Sequence, residues 1–265
     1  MYWCTTYLGL SKIPHFTTLQ KAAARLDTAM LQKILESFVI QAKIKNMFVG
    51  IDATGFGHTQ ASYYYTKRTK LRRKFVKMSA ISDMKEQLVC AIKIRHRQRY
   101  DNVDFMPLLH KANNIIHIST VVADKEYDSE KNHIDSHCLG IASIIPPRYE
   151  DVPVYKTRGY YRKILKRKGY DSVTYHQRNK TETIFSVIKR MFGENVTSRK
   201  ISTQNRELMY RIIVYDAYRI TRDRLLIWHG FYIAYDLIVV MLVNISKIIK
   251  SLHTKSDDHL LHLQF

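Results

Sequence analysis

Acidic side chains are scarce in this sequence. Only 23 Asp and Glu stand against 43 Lys and Arg, which leaves a formal charge of +20 and an isoelectric point near 9.8. Such a field attracts polyanions and opposes self-assembly without one, so nucleic acid is the first partner to consider. Cysteine is also sparse. Cys4, Cys90 and Cys138 are odd in number and far apart, which excludes a disulfide framework and a C-x-x-C metal knuckle and fits a reducing compartment. His133, His137 and Cys138 could seed a zinc site, but no second ligand pair stands nearby in sequence, and a polar helix face is the preferred reading. The N-terminus lacks the basic-then-apolar order of a secretory signal, and the chain has no internal repeat or low-complexity stretch.

What is present suits one substantial domain with appendages: 265 residues, 46% of them hydrophobic. Residues 11–45 read as helical. "HFTTLQKAAARL" offers a capping box from Thr17 to Gln20, and "AMLQKILESFVIQAKI" repeats apolar residues at helical spacing. This small N-terminal element (1–45) either binds DNA or dimerises, or packs on the main domain.

The period then changes. "NMFVGIDATGF" is a short apolar strand ending at Asp52, and "KFVKMSAIS" and "QLVCAIKIR" are strands joined by a hairpin turn at "DMKE". "VDFMPLLHKA" is helical, "ISTVVADKEY" is a strand ending at Asp124, Asp128 and Ser129 can cap the next helix, and "GIASIIPP" is a fifth strand stopped by two prolines. This β-β-β-α-β-α-β-α order resembles the α/β, ribonuclease H-like fold: a mixed five-stranded sheet flanked by helices, here over residues 46–224. Residues 225–249, within a C-terminal segment 225–265, are apolar enough to span a bilayer. Asp236 near their middle would cost about 2.5–3.5 kcal/mol there, so a buried or dimerising helix is preferred.

"TYHQRNKTETIFSVIKR" places one carboxylate, Glu182, among basic side chains. At about 100° per residue, Tyr175, Arg178 and Lys189 fall within about 40° of Glu182 if the segment is one helix, while Ile184, Val187, Ile188 and Met191 fall opposite. A solvated Glu–Arg pair would explain the Glu alone. It leaves Asp52 and Asp124, each at the end of an apolar strand, without a role.

Tyr175-x2-Arg178-x3-Glu182-x6-Lys189 resembles the signature of DDE transposases of bacterial and archaeal insertion sequences. "GIDATGF" and "VVADKEYDS" resemble the segments that hold the first two acids of that family, and the likeness runs from about residue 10 to 224. The resemblance implies that Asp52, Asp124 and Glu182 are the catalytic and metal-binding triad. It also implies that Tyr175, Arg178 and Lys189 hold phosphates at the transposon end. Three clustered carboxylates need hard divalent cations, which favours two Mg²⁺ or Mn²⁺ ions and no small-molecule cofactor.

Two acid-free basic runs add phosphate-tracking surface: residues 66–77, with Arg72, Arg73 and Lys74, and residues 152–170, with Arg162 and Lys163 among interleaved tyrosines. The alternative is a solvated basic loop. The expectation is a prokaryotic, cytoplasmic, nucleoid-associated transposase acting on double-stranded DNA as a homodimer, away from membranes. Its rivals are a catalytically silent DNA-binding relative and a cellular nuclease on the same fold.

Overall fold

The structure, a computed structural model, describes residues 14–44, 47–58, 75–97 and 99–225. In chain order its helices are α1 (Phe16–Arg25), α2 (Thr28–Gln41), α3 (Asn102–Asn113), α4 (Glu130–Cys138), α5 (Tyr160–Lys168), α6 (Ser172–His176), α7 (Asn179–Phe192) and α8 (Ile201–Leu225). The strands are β1 (Met47–His58), β2 (Val76–Asp83), β3 (Val89–Arg95), β4 (Ile118–Ala123), β5 (Ala142–Ile144) and β6 (Asn195–Val196). Residues Leu26–Asp216 form one compact unit; the other comprises Met1–Arg25 with Ala217–Phe265. Among the described residues, no helix is long and apolar enough to cross a membrane, and the stretch 225–249 lies almost wholly outside them.

β1 is the centre of the sheet because its alternating side chains serve two helical layers. Met47, Val49 and Ile51 are fully buried and share a core with Val39 of α2, Phe105 and Leu109 of α3, and Val121 and Ala123 of β4. The intervening residues, Gly50 and Asp52, belong to the opposite face, on which α7 packs through Thr181, Ile184, Phe185 and Ile188. The order is β3-β2-β1-β4-β5; β2 alone runs antiparallel to its neighbours β1 and β3, β4 and β5 run parallel to β1, and the short β6 pairs in parallel with the end of β1 as a sixth strand. This is the mixed, helix-flanked, ribonuclease H-like sheet that the sequence led us to expect. The "DMKE" hairpin is also as read: Asp83 Oδ2 accepts from the backbone N–H of Lys85 (3.0 Å) and Glu86 (2.6 Å).

Three local expectations need correction. β1 does not stop at Asp52. Its parallel ladder with β4 ends at Ile51 and Ala123, but the antiparallel ladder with β2 continues to Phe56 and Val76. Asp52 is thus a strand end towards β4 only. Thr17 is not a helix cap, because α1 begins at Phe16 and the Thr17 hydroxyl turns back to His15 Nδ1 at 2.9 Å. The segment from Tyr175 to Lys189 is two helices rather than one. Around Gln177 and Arg178, bonds such as Arg178 N–H to Tyr175 O (3.0 Å) and Thr181 N–H to Arg178 O (2.9 Å) span three residues instead of four and tighten the turn.

Gly50 sets how closely α7 can approach. A Cβ there would lie 2.7 Å from Thr181 Oγ1 and 2.9 Å from the Met84 thioether. Gly50→Ala should therefore destabilise the protein by about 1–3 kcal/mol through overpacking, read as a lower urea midpoint. An unchanged midpoint would mean that α7 can shift at no cost.

Candidate active site

Asp52 and Asp124 directly follow the last pair of the β1–β4 ladder, Ile51 and Ala123, so two adjacent parallel strands deliver two carboxylates side by side. Each is steadied by a neighbouring amide. Asp52 Oδ1 accepts from Ala53 N–H at 2.8 Å, and Asp124 Oδ1 from Lys125 N–H at 2.6 Å, capping the 3₁₀ turn Lys125–Tyr127. Glu182 comes from the first turn of α7, across the same face.

The three acids and Arg178 act on one another. Burial pushes the Asp52 carboxyl up to about 6, opposed by the Ala53 amide and the Arg178 charge and reinforced by the charges of Glu182 and Asp124. Arg178 Nη1 lies 3.0 Å from Glu182 Oε1, with the arginine side chain only 17% exposed and the glutamate 56%. Burial alone would lower the Arg178 pKa, but Tyr175, Asp124, Glu182 and Asp52 together hold it above its usual value. Tyr175 completes the group: the Arg178 guanidinium carbon sits 5.9 Å from its ring centroid, and burial raises its phenol.

A cavity of about 380 Å³ opens beside Asp52 and Glu182. It runs past Thr54 on β1 and Ser186, Lys189 and Arg190 on α7 towards Glu194. Lys189 is fixed there by its ammonium 5.5 Å from the Phe56 ring centroid. Thr54, Ser186 and Arg190 were not singled out from sequence. The signal was available for two of them, since Thr54 is two residues beyond Asp52 on one strand face and Ser186 one helical turn beyond Glu182.

The other expected site residues lie elsewhere. Lys163 is half-buried on α5, and the Arg162 guanidinium is bound to Asp128 (Nη2–Oδ2 2.7 Å, Nε–Oδ2 3.1 Å). Arg72, Arg73 and Lys74 lie outside the described residues. His133 is buried against the Ser143 hydroxyl at 2.7 Å from its Nδ1, and His137 packs against the Tyr161 ring.

The donor chemistry of Asp52, Asp124 and Glu182 fits a hard divalent ion, which would offset the burial, and with it the lesser repulsion among the acids, that raises Asp52. The assembly is incomplete: Glu182 is committed to Arg178, and among the described residues no set of three or more His, Cys, Asp or Glu side chains is grouped to hold a metal.

The family described as transposase DDE domain matches residues 46–216 of the chain. Two solved structures share similarity at low identity. One is a simian T-cell lymphotropic virus intasome in complex with PP2A regulatory subunit B56 gamma: 12% identity, TM-score 0.36, over 63% of this chain and 47% of that one. The second is a Drosophila P element transposase strand transfer complex: 10% identity, TM-score 0.28, over 78% of this chain and 58% of that one. The chain thus spans about half the length of each. No curated protein matches it.

Proposed function

We infer, because the chain belongs to the transposase DDE domain family, that it is the transposase of an insertion sequence, cutting double-stranded DNA at the element's ends and joining the freed 3′-hydroxyl to target DNA. The observation that carries this reading is the pairing of Asp52 and Asp124 at the end of one parallel ladder, with Glu182 across the same face and charge-coupled to Asp52. These three side chains would hold Mg²⁺ or Mn²⁺, two ions by analogy with other phosphoryl-transfer sites. The metal would supply activation of the attacking water or 3′-hydroxyl and stabilisation of the leaving oxygen.

The chain's own part is to grip and align the strand. Lys189 and Arg190 line the cavity that leads from the carboxylates, so a backbone threaded there meets positive charge about two helical turns from Glu182. Arg178 can offer its planar fork to a phosphate once Glu182 no longer occupies it, with Tyr175 against its face. The element's two ends require two copies of this site, hence a homodimer on DNA. A prokaryotic, nucleoid-associated setting in the cytoplasm follows from that role.

A second reading, a catalytically silent DNA-binding relative, is favoured by one observation: Glu182 is engaged by Arg178. The two separate in a cleavage assay on duplexes carrying the element's ends, with Mg²⁺ supplied or chelated. A transposase nicks only with Mg²⁺, and Glu182→Gln abolishes nicking while retaining binding. Cleavage surviving Glu182→Gln sinks the triad assignment, and binding without cleavage selects the silent relative.

A further inference from the structure

α5 is the most basic helix among the described residues: Arg162, Lys163, Lys166, Arg167 and Lys168 fall in nine residues, none of them fully buried. Its apolar side is short, Tyr161, Ile164 and Leu165, and only half-buried, so charge contributes to holding it. The loop that follows Asp124 and the start of α4 supply two carboxylates for the purpose.

Asp128 has a fully buried side chain. Its Oδ2 accepts from Arg162 Nη2 (2.7 Å), Arg162 Nε (3.1 Å) and the backbone N–H of Arg148 (2.8 Å). Its Oδ1 lies 3.8 Å from His133 Nε2. Burial would push this carboxyl up, but His133, the Arg148 amide and Arg162 together hold it below the usual range. Glu130 takes the other end of the contact. Its Oε1 accepts from Tyr161 N–H (3.0 Å) and its Oε2 from Arg162 N–H (3.3 Å), so a residue of α4 satisfies amides of the first turn of α5. The fit requires a bare backbone just ahead of the helix. Gly159 has φ +98°, and a Cβ there would sit 2.0 Å from Glu130 Oε2. Tyr161 closes the contact with its ring stacked on His133 (6.4 Å) and against His137 (5.3 Å). Sequence had suggested Asp128 and Ser129 as caps of α4, but Ser129 at the cap position makes no side-chain cap bond and Asp128 faces α5.

An arginine so engaged is a poor phosphate ligand, because leaving would strand a buried carboxylate. We propose that Asp128 and Glu130 are positioning residues for DNA: with Arg162 they clasp α5 beside the strand that ends in Asp124, so that Lys163, Arg167 and Lys168 meet the backbone of the bound duplex together. The clasp rests on the DNA-binding reading above. It joins a catalytic strand end to a phosphate-binding surface through charge, over only four residues of chain from Asp124 to Asp128.

The test is fluorescence anisotropy of a labelled duplex with the full chain, without divalent ions, at several salt concentrations. If charge alone governed binding, Asp128→Asn and Glu130→Gln, each removing an anion, would tighten it. The clasp requires the reverse. Each variant should bind about tenfold more weakly, and the salt slope should fall by nearly three, about 0.9 for each of the three cations that disengage together. Asp128→Asn combined with Arg162→Gln should bind no more weakly than either alone. Thermal melts screen for unfolding, and should Asp128→Asn fail to fold, Glu130→Gln, which replaces one of the two amide acceptors with a donor, carries the test. Unchanged or tighter binding by Glu130→Gln, with Arg162→Gln lowering the slope by about one, would make Arg162 an ordinary phosphate ligand and overturn the clasp. Failure of the unaltered protein to bind any duplex sinks the DNA reading itself, and this inference with it.

Discussion

Asp52→Asn is expected to lose at least about a thousandfold in DNA cleavage and, in the same molecule, to melt several degrees higher than the parent protein. The loss follows from removing a carboxylate that would help bind metal at the reacting phosphate, where several kcal/mol of charge stabilisation are at stake. The gain follows from burial. In the folded protein the Asp52 carboxyl is raised from 3.8 to about 6, so at pH 7 folding must bury a charge that the unfolded chain keeps hydrated. A shift of that size corresponds to at most about 3 kcal/mol. The sign fixes the pH window. Below 3.8 the group is protonated whether folded or unfolded and costs nothing; as pH rises from 3.8 through about 6 the folded state must give up its proton and stability falls; above about 6 the penalty is complete. The stability advantage of Asp52→Asn should therefore be absent near pH 3.5, grow through pH 5 and level off by pH 7, and a saturating divalent ion should diminish it by stabilising only the parent. Paired melts across pH without metal provide the measurement. A variant less stable than the parent at pH 7 would mean that Asp52 is not held in a desolvated site.

The residues of this site differ in how visible they were beforehand. Asp52 and Asp124 were legible because apolar strands reveal themselves by composition, and a polar residue closing each is a local feature. That β1 continues to His58 was not legible, since the strand ends on one side only: β4 stops where β2 and then β6 go on, and pairing is a property of neighbours. The stripe of Tyr175, Arg178, Glu182 and Lys189 was read on an ideal helix. The tightened turn at Gln177 and Arg178 alters it, yet Arg178 still reaches both Tyr175 and Glu182 because they stand three and four residues away. Arg162 shows the limit. Its place in a basic run suggested a phosphate, and its partner, Asp128, is 34 residues distant. The same holds for Gly50 and Thr181, which meet across the sheet face with nothing in either neighbourhood to announce it.

Arg178→Met should strengthen Mn²⁺ binding by the DNA-free protein about tenfold or more, although the same change should weaken capture of element ends. Arg178 is the cation of the carboxylate group in this structure: its guanidinium bonds Glu182 at 3.0 Å, and its charge also acts on Asp52 and Asp124. A divalent ion entering about 5 Å from a fixed guanidinium would meet repulsion of about 7 kcal/mol at an effective dielectric of 20. Arg178 must therefore swing aside, and that displacement weakens metal binding by whatever its pairing with the acids is worth. Methionine keeps much of the apolar stem against Tyr175 and removes both the repulsion and the competition for Glu182. Titration followed by the loss of the free Mn²⁺ paramagnetic signal reads the affinity directly, without DNA or turnover. Arg178→Lys, which keeps the charge but loses the fork, should stay near the parent. If Arg178→Met binds Mn²⁺ more weakly, the ion pair holds Glu182 in place for the metal instead of withholding it. With the expected sign, one side chain links two events: a DNA phosphate that draws Arg178 away also releases Glu182, so the third carboxylate becomes available when a strand is there to be cut.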